Sequence, residues 1–498
     1  MKRYRIGRIE GHWKNFVPPI QGGVFRPLVD AADAEEQGDE EEAALEETKT
    51  SGRVSVSSGS SRASTPVFDT NQDASGLRPR HAASPAAESA TSSVSSVADD
   101  EFDGMAHLDA VTKQKISLDL DKYPPLDDAT QQEIIAKYHA LHERVIAAGL
   151  YKTPFFWYFM DICRISALAV VSFACLRTGW YAASALFLGL AWHQLTFAAH
   201  DAGHNGITHR FHVDAVIGIL IADFCGGLSI GWWKRNHNVH HIVTNSPEHD
   251  PDIQHMPHFA VSHRFLGSLR STFYERVMRL DAVARVLLSA QDWLYYPSML
   301  FGRFNMYRLT WDHLLRRRGP VRGPAWWHWH LEMAGQAFFW AWFGYGVLYC
   351  SIPTAWDRFV FIMVSHMVVM PLHVQITLSH FAMSTAELGP DESFPQKMLR
   401  TTMDVDCPPW LDFVHGGLQF QAIHHLFPRV PRHNLRKARR YVVDFCEDAG
   451  IPYALYGFVD GNRQVIGQLG EVARQVAILA KCQRSIVKSG DFLHEHHH

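Results

Sequence analysis

Three short stretches concentrate imidazole at spacings suited to metal binding. "HDAGH" supplies His200 and His204, "HNVHH" supplies His237, His240 and His241, and "QAIHH" supplies Gln421, His424 and His425. Residues three or four apart share a helix face, so each stretch presents its side chains in one direction if helical. Imidazole is a good ligand for iron, zinc or copper. One such stretch arises by chance, whereas three brought to one place do not. Seven imidazoles are too many for one ion, which implies two. His380 is placed to join them, while His373 and His366, at seven-residue intervals before it, read as packing or tunnel-lining residues. Gln421 stands where the second stretch has His237. Its amide is neutral and offers a carbonyl oxygen, so it either ligates weakly, holds a metal-bound water, or is a structural amide. Asp201, Glu248 and Asp250 are candidates to orient imidazoles through the free ring N–H, or else are loop and cap residues.

Composition narrows the chemistry. The chain has 31 histidines among 498 residues, most between positions 193 and 433, far above ordinary usage. Its seven cysteines (163, 175, 225, 350, 407, 446, 482) form no C-x-x-C pair, so neither a disulfide framework nor a thiolate zinc site is expected. Without soft thiolates, electron-transfer copper and iron–sulfur centres are excluded, leaving oxygen activation by two irons or hydrolysis at a zinc pair. A net charge of -4 points to no nucleic-acid partner.

The elements that must position these residues are apolar. Residues 155–176 and 181–199 are each about long enough to cross a bilayer, although Asp161 and Arg164 interrupt the first. Residues 330–350 and 358–380 form a second hairpin. The Gly-rich stretch 213–233 carries Asp214 and Asp223 and is read as a helix against the bundle rather than a fifth span. The hairpin tips carry only Arg177, whereas the middle region holds Lys234, Arg235, Arg264, Arg270, Arg276, Arg279, Arg316, Arg317 and Arg318. The positive-inside tendency therefore puts the middle region and both termini on the cytosolic face. The expected fold is an all-α integral membrane protein with four transmembrane helices in two hairpins, and a cytosolic helical cap holding a histidine-rich di-metal site. Residues 292–309 alternate aromatic and basic side chains, reading either as an interfacial segment or as an ordinary packed one. A helix is expected over 127–149. Residues 1–29 read as a remnant segment, 30–110 as a disordered acidic and Ser-rich linker, 111–460 as the membrane domain and 461–498 as a cytosolic tail, whose final "HEHHH" is left out of the site. A site at the membrane face, beside spans that can shelter an acyl chain, implies a lipid substrate.

With "HDAGH", "WWKRNHNVHH", "NSPEHDPDIQ" and "FQAIHHLFPRVPRHNLR", residues 120–460 resemble the membrane fatty-acyl and sphingolipid desaturases. The Gln that opens the third stretch resembles the front-end group, and the last two stretches resemble fungal sphingolipid 8-desaturases. That resemblance implies a mushroom-shaped, four-span fold in the endoplasmic reticulum membrane, with two irons bound by the histidine stretches. It also implies O2-dependent insertion of a trans double bond at carbon 8 of the ceramide long-chain base. Ligands so implied are His200, His204, His237, His240, His241, His380, Gln421, His424 and His425, with Gln421 and Asp201 as catalytic candidates. Such enzymes commonly carry an N-terminal cytochrome b5 domain with a His-Pro-Gly-Gly motif, which this sequence lacks. The chain is therefore either a shortened product or takes electrons from a separate cytochrome b5 and its reductase. The alternatives are a front-end fatty-acyl desaturase of the delta-5 or delta-6 type, a di-iron lipid hydroxylase, and a non-enzymatic membrane scaffold.

Overall fold

The computed structural model describes residues 20–21, 24–25, 104–124, 126–389 and 392–489. Most of the expected remnant segment and linker therefore lies outside the described residues. Strands are minor: β1 (Ile20–Gln21) pairs antiparallel with β2 (Val24–Phe25), and β3 (Arg270–Ser271) with β4 (Arg276–Val277). β5 (Asp404–Asp406) pairs parallel with β6 (Leu455–Gly457), Asp404 opposite Leu455. The other regular elements among the described residues are helices.

Helix α1 (Gly104–Lys122) begins inside the stretch expected to be linker. Helix α2 (Asp128–Ala147) follows the expected 127–149 pattern. Asp127 caps it by accepting from the Thr130 N–H at 2.8 Å, and Gly149 ends it at a φ of 68°. Helices α3 (Phe155–Arg177) and α4 (Tyr181–Gly203) form the first hairpin. Together with Ala355–Leu378, which contains α11 (Ala355–Met367) and α12 (Met370–Leu378), they are the three described spans long and apolar enough to cross a membrane.

The stretch around Asp214 and Asp223 is neither a straight span nor one helix lying flat. Helix α5 (Phe211–Ile219) continues as a π-helical segment, Leu220–Cys225, and α6 (Ile230–Val243) leaves it at a bend of 120°. Two features set the bend. Gly227 has a φ of 69°, and a Cβ there would come within 2.4 Å of the Phe339 ring. Buried Asp223 and Ser229 on either side of the break find partners on α10 (His328–Phe339): Gln336 donates to Asp223 at 3.1 Å, and Ser229 donates to Glu332. These polar residues also explain why the expected span 330–350 is not uniformly apolar. It is helical throughout, with its second half, Trp340–Ser351, wound as a π-helix.

Helix α7 (Ala282–Leu288) precedes the segment that alternates aromatic and basic residues, which α8 (Gln291–Met299) and α9 (Gly302–Leu315) cover. One face is packed, with Tyr295, Met299, Arg303 and Tyr307 buried, while Trp293 is 83% exposed. Helix α13 (Phe394–Thr401), the single turn α14 (Asp412–His415) and the short α15 (Gln421–Leu426) lead to α16 (Arg432–Ala449). The apolar positions Leu435, Ala438, Val442 and Phe445 of α16 fall on one stripe and pack with Ile134, Leu141 and Val145 of α2. The expected boundary at 460 falls inside a helix. Helix α17 (Phe458–Ser489) runs through it, and Val465, Leu469, Val472 and Val476 are buried in a core with Phe259, Tyr295 and Phe381. Those four valines and leucines recur at helical spacing, so burial drives the helix into the body rather than leaving a tail.

Candidate metal centre

Each histidine stretch is held by a different element. His200 lies in the last turn of α4 and His204 caps its end. His237, His240 and His241 lie on one face of α6, and His424 and His425 in the last turn of α15. Helices α4 and α6 approach closely because residue 203 is glycine, where a Cβ would stand 2.1 Å from the Trp233 ring. Trp233 in turn stacks on His237 with ring centroids 4.4 Å apart.

Seven of these side chains, His380 among them, sort into two groups. His200, His204, His237 and His424 offer ligand nitrogens all within 4.8 Å of one another, and His240, His380 and His425 do the same. His241 belongs to neither group by that measure. It lies between them, stacked on His425 at 4.2 Å, with its Nε2 3.1 Å from the His237 Nε2. Gln421 is buried at the start of α15 and lines a narrow cavity with His200, Asp201, His424 and Arg432. Its side chain also reaches His380, in the second group.

The residues fit metal ions on an observation independent of spacing. The Nε2 atoms of His204, His424 and His425, the Nδ1 of His380 and the Nδ1 of His241 are buried without any hydrogen-bond partner. Each such orphaned nitrogen costs about 1–3 kcal/mol if left unmet, so five in one place call for a cation to accept their lone pairs. Burial first, and neighbouring imidazoles second, hold His204, His424 and His425 well below the usual histidine range, so each ring is neutral and ready to ligate.

Carboxylates orient the rings, though not all of those expected. Asp250 bonds the His240 Nδ1 at 2.8 Å, and also accepts from the Asn245 N–H at 2.8 Å. Glu248 pairs with Arg264 at 2.8 Å, as the loop-residue alternative has it. The carboxylate beside His237 is Asp252, at 3.3 Å from Nδ1. Its only signal in the sequence is a place two residues after Asp250. Asp201 stands 4.0 Å from the His200 Nδ1, and its main partners are Tyr158, at 2.6 Å, and the guanidinium of Arg432. Arg432 also bonds Asp161, which further accepts from Arg164 and His433. The two charges that interrupt the first span are therefore members of a buried network that ties α3 and α4 to α16. His366 and His373 lie apart from both groups; His366 stacks on Phe304 at 4.7 Å, and His373 packs against Gly302.

One further acid supports the third stretch. Asp404 on β5 accepts the N–H of Ala422, in the first turn of α15, at 2.8 Å, and the hydroxyl of Tyr453. Complete burial pushes its carboxyl up to about 7, against the lowering effect of those two donors. The folded state thus holds a proton that the unfolded chain releases near 3.8. The contribution of Asp404 to stability is largest below that value, falls as pH rises towards about 7, and is level above it. Asp404→Asn is expected to flatten this part of the pH dependence and keep the cap on Ala422. Thermal unfolding of the detergent-solubilised protein between pH 4 and pH 8 would show it, and an unchanged slope would count against the assignment.

A model of the fatty acid desaturase family matches residues 178–457, which contain every histidine of both groups. The chain belongs to the fatty acid desaturase family. It is 57% identical over 496 residues to a Delta 8-(E)-sphingolipid desaturase of Emericella nidulans, covering 100% of this chain and 87% of the relative. To a protein of the same name from Komagataella phaffii it is 46% identical over 485 residues, covering 97% and 84%. The Acyl-lipid (9-3)-desaturase of Borago officinalis is 36% identical over 361 residues, 72% of this chain and 79% of that one. The chain is an oxidoreductase of this family, with helices that suit a membrane.

Proposed function

We propose that this desaturase introduces a trans double bond at carbon 8 of the long-chain base of ceramide, using O2 and two irons. The observation that carries the reading is the pair of histidine groups with orphaned ring nitrogens, in a chain similar along nearly its whole length to Delta 8-(E)-sphingolipid desaturases. His200, His204, His237 and His424 hold one ion and His240, His380 and His425 the other, with His241 and Gln421 at the seam. When bound, two irons supply the four-electron reduction of dioxygen that removing hydrogen from unactivated C–H bonds demands. Two of the electrons come from the substrate and two from a cytochrome b5 with its reductase.

The protein's part is orientation. The Asp250 carboxylate accepts from the His240 Nδ1–H, which leaves Nε2 as the ligand atom, and Asp252 does the same for His237. Arg432 neutralises Asp201 and fixes the end of α4 that carries His200 and His204. Such partners are worth about 10–100-fold in metal affinity. Asp250→Asn is therefore expected to lose iron in that range against a chelator, measured on the purified protein; undiminished retention would remove Asp250 from this role.

The distribution of Lys and Arg supports four spans in an endoplasmic reticulum membrane, with the centre on the cytosolic side. The test is expression, with a cytochrome b5, in a host whose sphingoid bases lack this unsaturation. The expected product is a long-chain base lighter by two hydrogens at carbon 8. New unsaturation in fatty acyl chains alone would support an acyl-lipid reading, as the similarity to the Borago officinalis protein favours. A product heavier by one oxygen would make the enzyme a hydroxylase.

A further inference from the structure

Between α9 and α10 runs the stretch "RRRGPVRGPAWWHWH", residues 316–330, which the metal centre does not use. Arg316 and Arg318 both pair with Asp312, at 2.7 and 3.3 Å. Arg317 differs. Its guanidinium lies over the Trp329 ring at 4.4 Å and has no carboxylate partner among the described residues. It borders an open pocket of about 130 Å³ with Gly319, Val321, Trp326, Trp329 and His330. His313 lies beneath the pocket. It is 2% exposed with neither ring nitrogen partnered, and a Cβ on Gly319 would stand 3.8 Å from its Nε2.

The backbone adds a second observation. Arg317 ends α9 with a φ of 49°, while the N–H groups of Arg317 and Arg318 bond back to Leu314 and His313 at 3.1 Å. Glycine is the usual residue at that left-handed position, and any other residue is strained there. The strain keeps a guanidinium at the pocket mouth where a glycine would end the helix more comfortably. Residues 328–351 follow directly, and their outward face is aromatic, with Phe338, Tyr345 and Tyr349 exposed. Basic residues at the cytosolic foot of a lipid-facing helix, beside an exposed Trp, are the composition that attracts anionic headgroups.

We infer that Arg317, Trp326 and His330 form a binding site for the phosphate of an anionic glycerophospholipid. The inference rests on the reading of residues 328–351 as a span whose foot is cytosolic. Trp326 inserts at the headgroup level, and Arg317, pre-set by its stacking on Trp329, donates to the phosphate oxygens. The site anchors the loop that joins α9 to the span.

The test uses the full chain in nanodiscs of phosphatidylcholine with or without phosphatidylserine, followed by mass spectrometry of the lipid retained on extraction. Wild type is expected to retain phosphatidylserine over phosphatidylcholine. Arg317→Gly, which relieves the backbone strain and so folds at least as well, is expected to lower that preference about fivefold. Trp326→Ala is expected to weaken it too. Equal preference in wild type and Arg317→Gly would overturn the site. Absence of any preference in both proteins would overturn it equally. Displacement of the lipid by inorganic phosphate at matched concentration would make the pocket a free-anion site and overturn the lipid assignment. Desaturase turnover in phosphatidylcholine alone reports separately on the proposed function.

Discussion

Gln421→Ala is expected to lose turnover by about a hundredfold or more, measured per bound iron so that loss of metal is separated from loss of chemistry. Gln421 is buried, one helical turn before His424 on the same face of α15. It borders the cavity that His200 and His424 line, and it also reaches His380. It is therefore the neutral side chain at the seam between the two histidine groups. A carbonyl oxygen there can take a metal-bound water or a vacant coordination position without titrating, and alanine removes it without replacement. Gln421→His is expected to keep part of the activity, because an imidazole nitrogen reaches the same place. If the alanine variant turned over at nearly the normal rate per iron, Gln421 would be a structural amide only.

Arg432→Met is expected to cost about 3–5 kcal/mol of stability, seen as a large fall in the unfolding midpoint of the detergent-solubilised protein. Arg432 is buried between Asp161 on α3 and Asp201 on α4, and its guanidinium lies 4.9 Å from the centre of the Tyr158 ring. Removing it leaves the buried Asp201 carboxylate without its guanidinium, with Tyr158 as its remaining close donor, and takes from Asp161 one of its three partners. Arg432→Lys is expected to recover only part, since one ammonium cannot fork to two carboxylates. The combination Arg432→Met with Asp161→Asn and Asp201→Asn is expected to be more stable than Arg432→Met alone. A loss below about 1 kcal/mol in Arg432→Met would show that the network is not what ties α16 to the spans.

The residues that read most clearly in the sequence are those with a local period. His237, His240 and His241 announce a helix face by spacing alone, and the spans over 155–177 and 181–203 announce themselves by length and apolarity. What was not legible depends on partners distant in the chain. The bend between α5 and α6 is set by Phe339, Glu332 and Gln336, roughly a hundred residues later, meeting Gly227, Ser229 and Asp223. Asp161 and Arg164 looked like interruptions of a span because their partners, Arg432, His433 and Gln194, lie elsewhere. Asp252, to which the sequence reading gave no role, stands beside His237 where Glu248 was a candidate, for a similar reason. The "PEHDPD" loop turns so that Asp250 and Asp252 face α6 while Glu248 faces Arg264, and no period in the sequence records that turn. Helix α17 was legible in principle, since Val465, Leu469, Val472 and Val476 repeat at helical spacing, but a C-terminal position disguised it.

The central claim is that three histidine stretches and His380 form one centre for two ions. It is tested most directly by iron quantified per chain in full-length protein produced in iron-supplemented, low-zinc medium. About two irons per chain are expected for wild type, with a loss of metal in His204→Ala, from the first group, and in His425→Ala, from the second. Protein that remains folded yet binds no stoichiometric iron, or that keeps the wild-type iron content in both variants, would contradict the account.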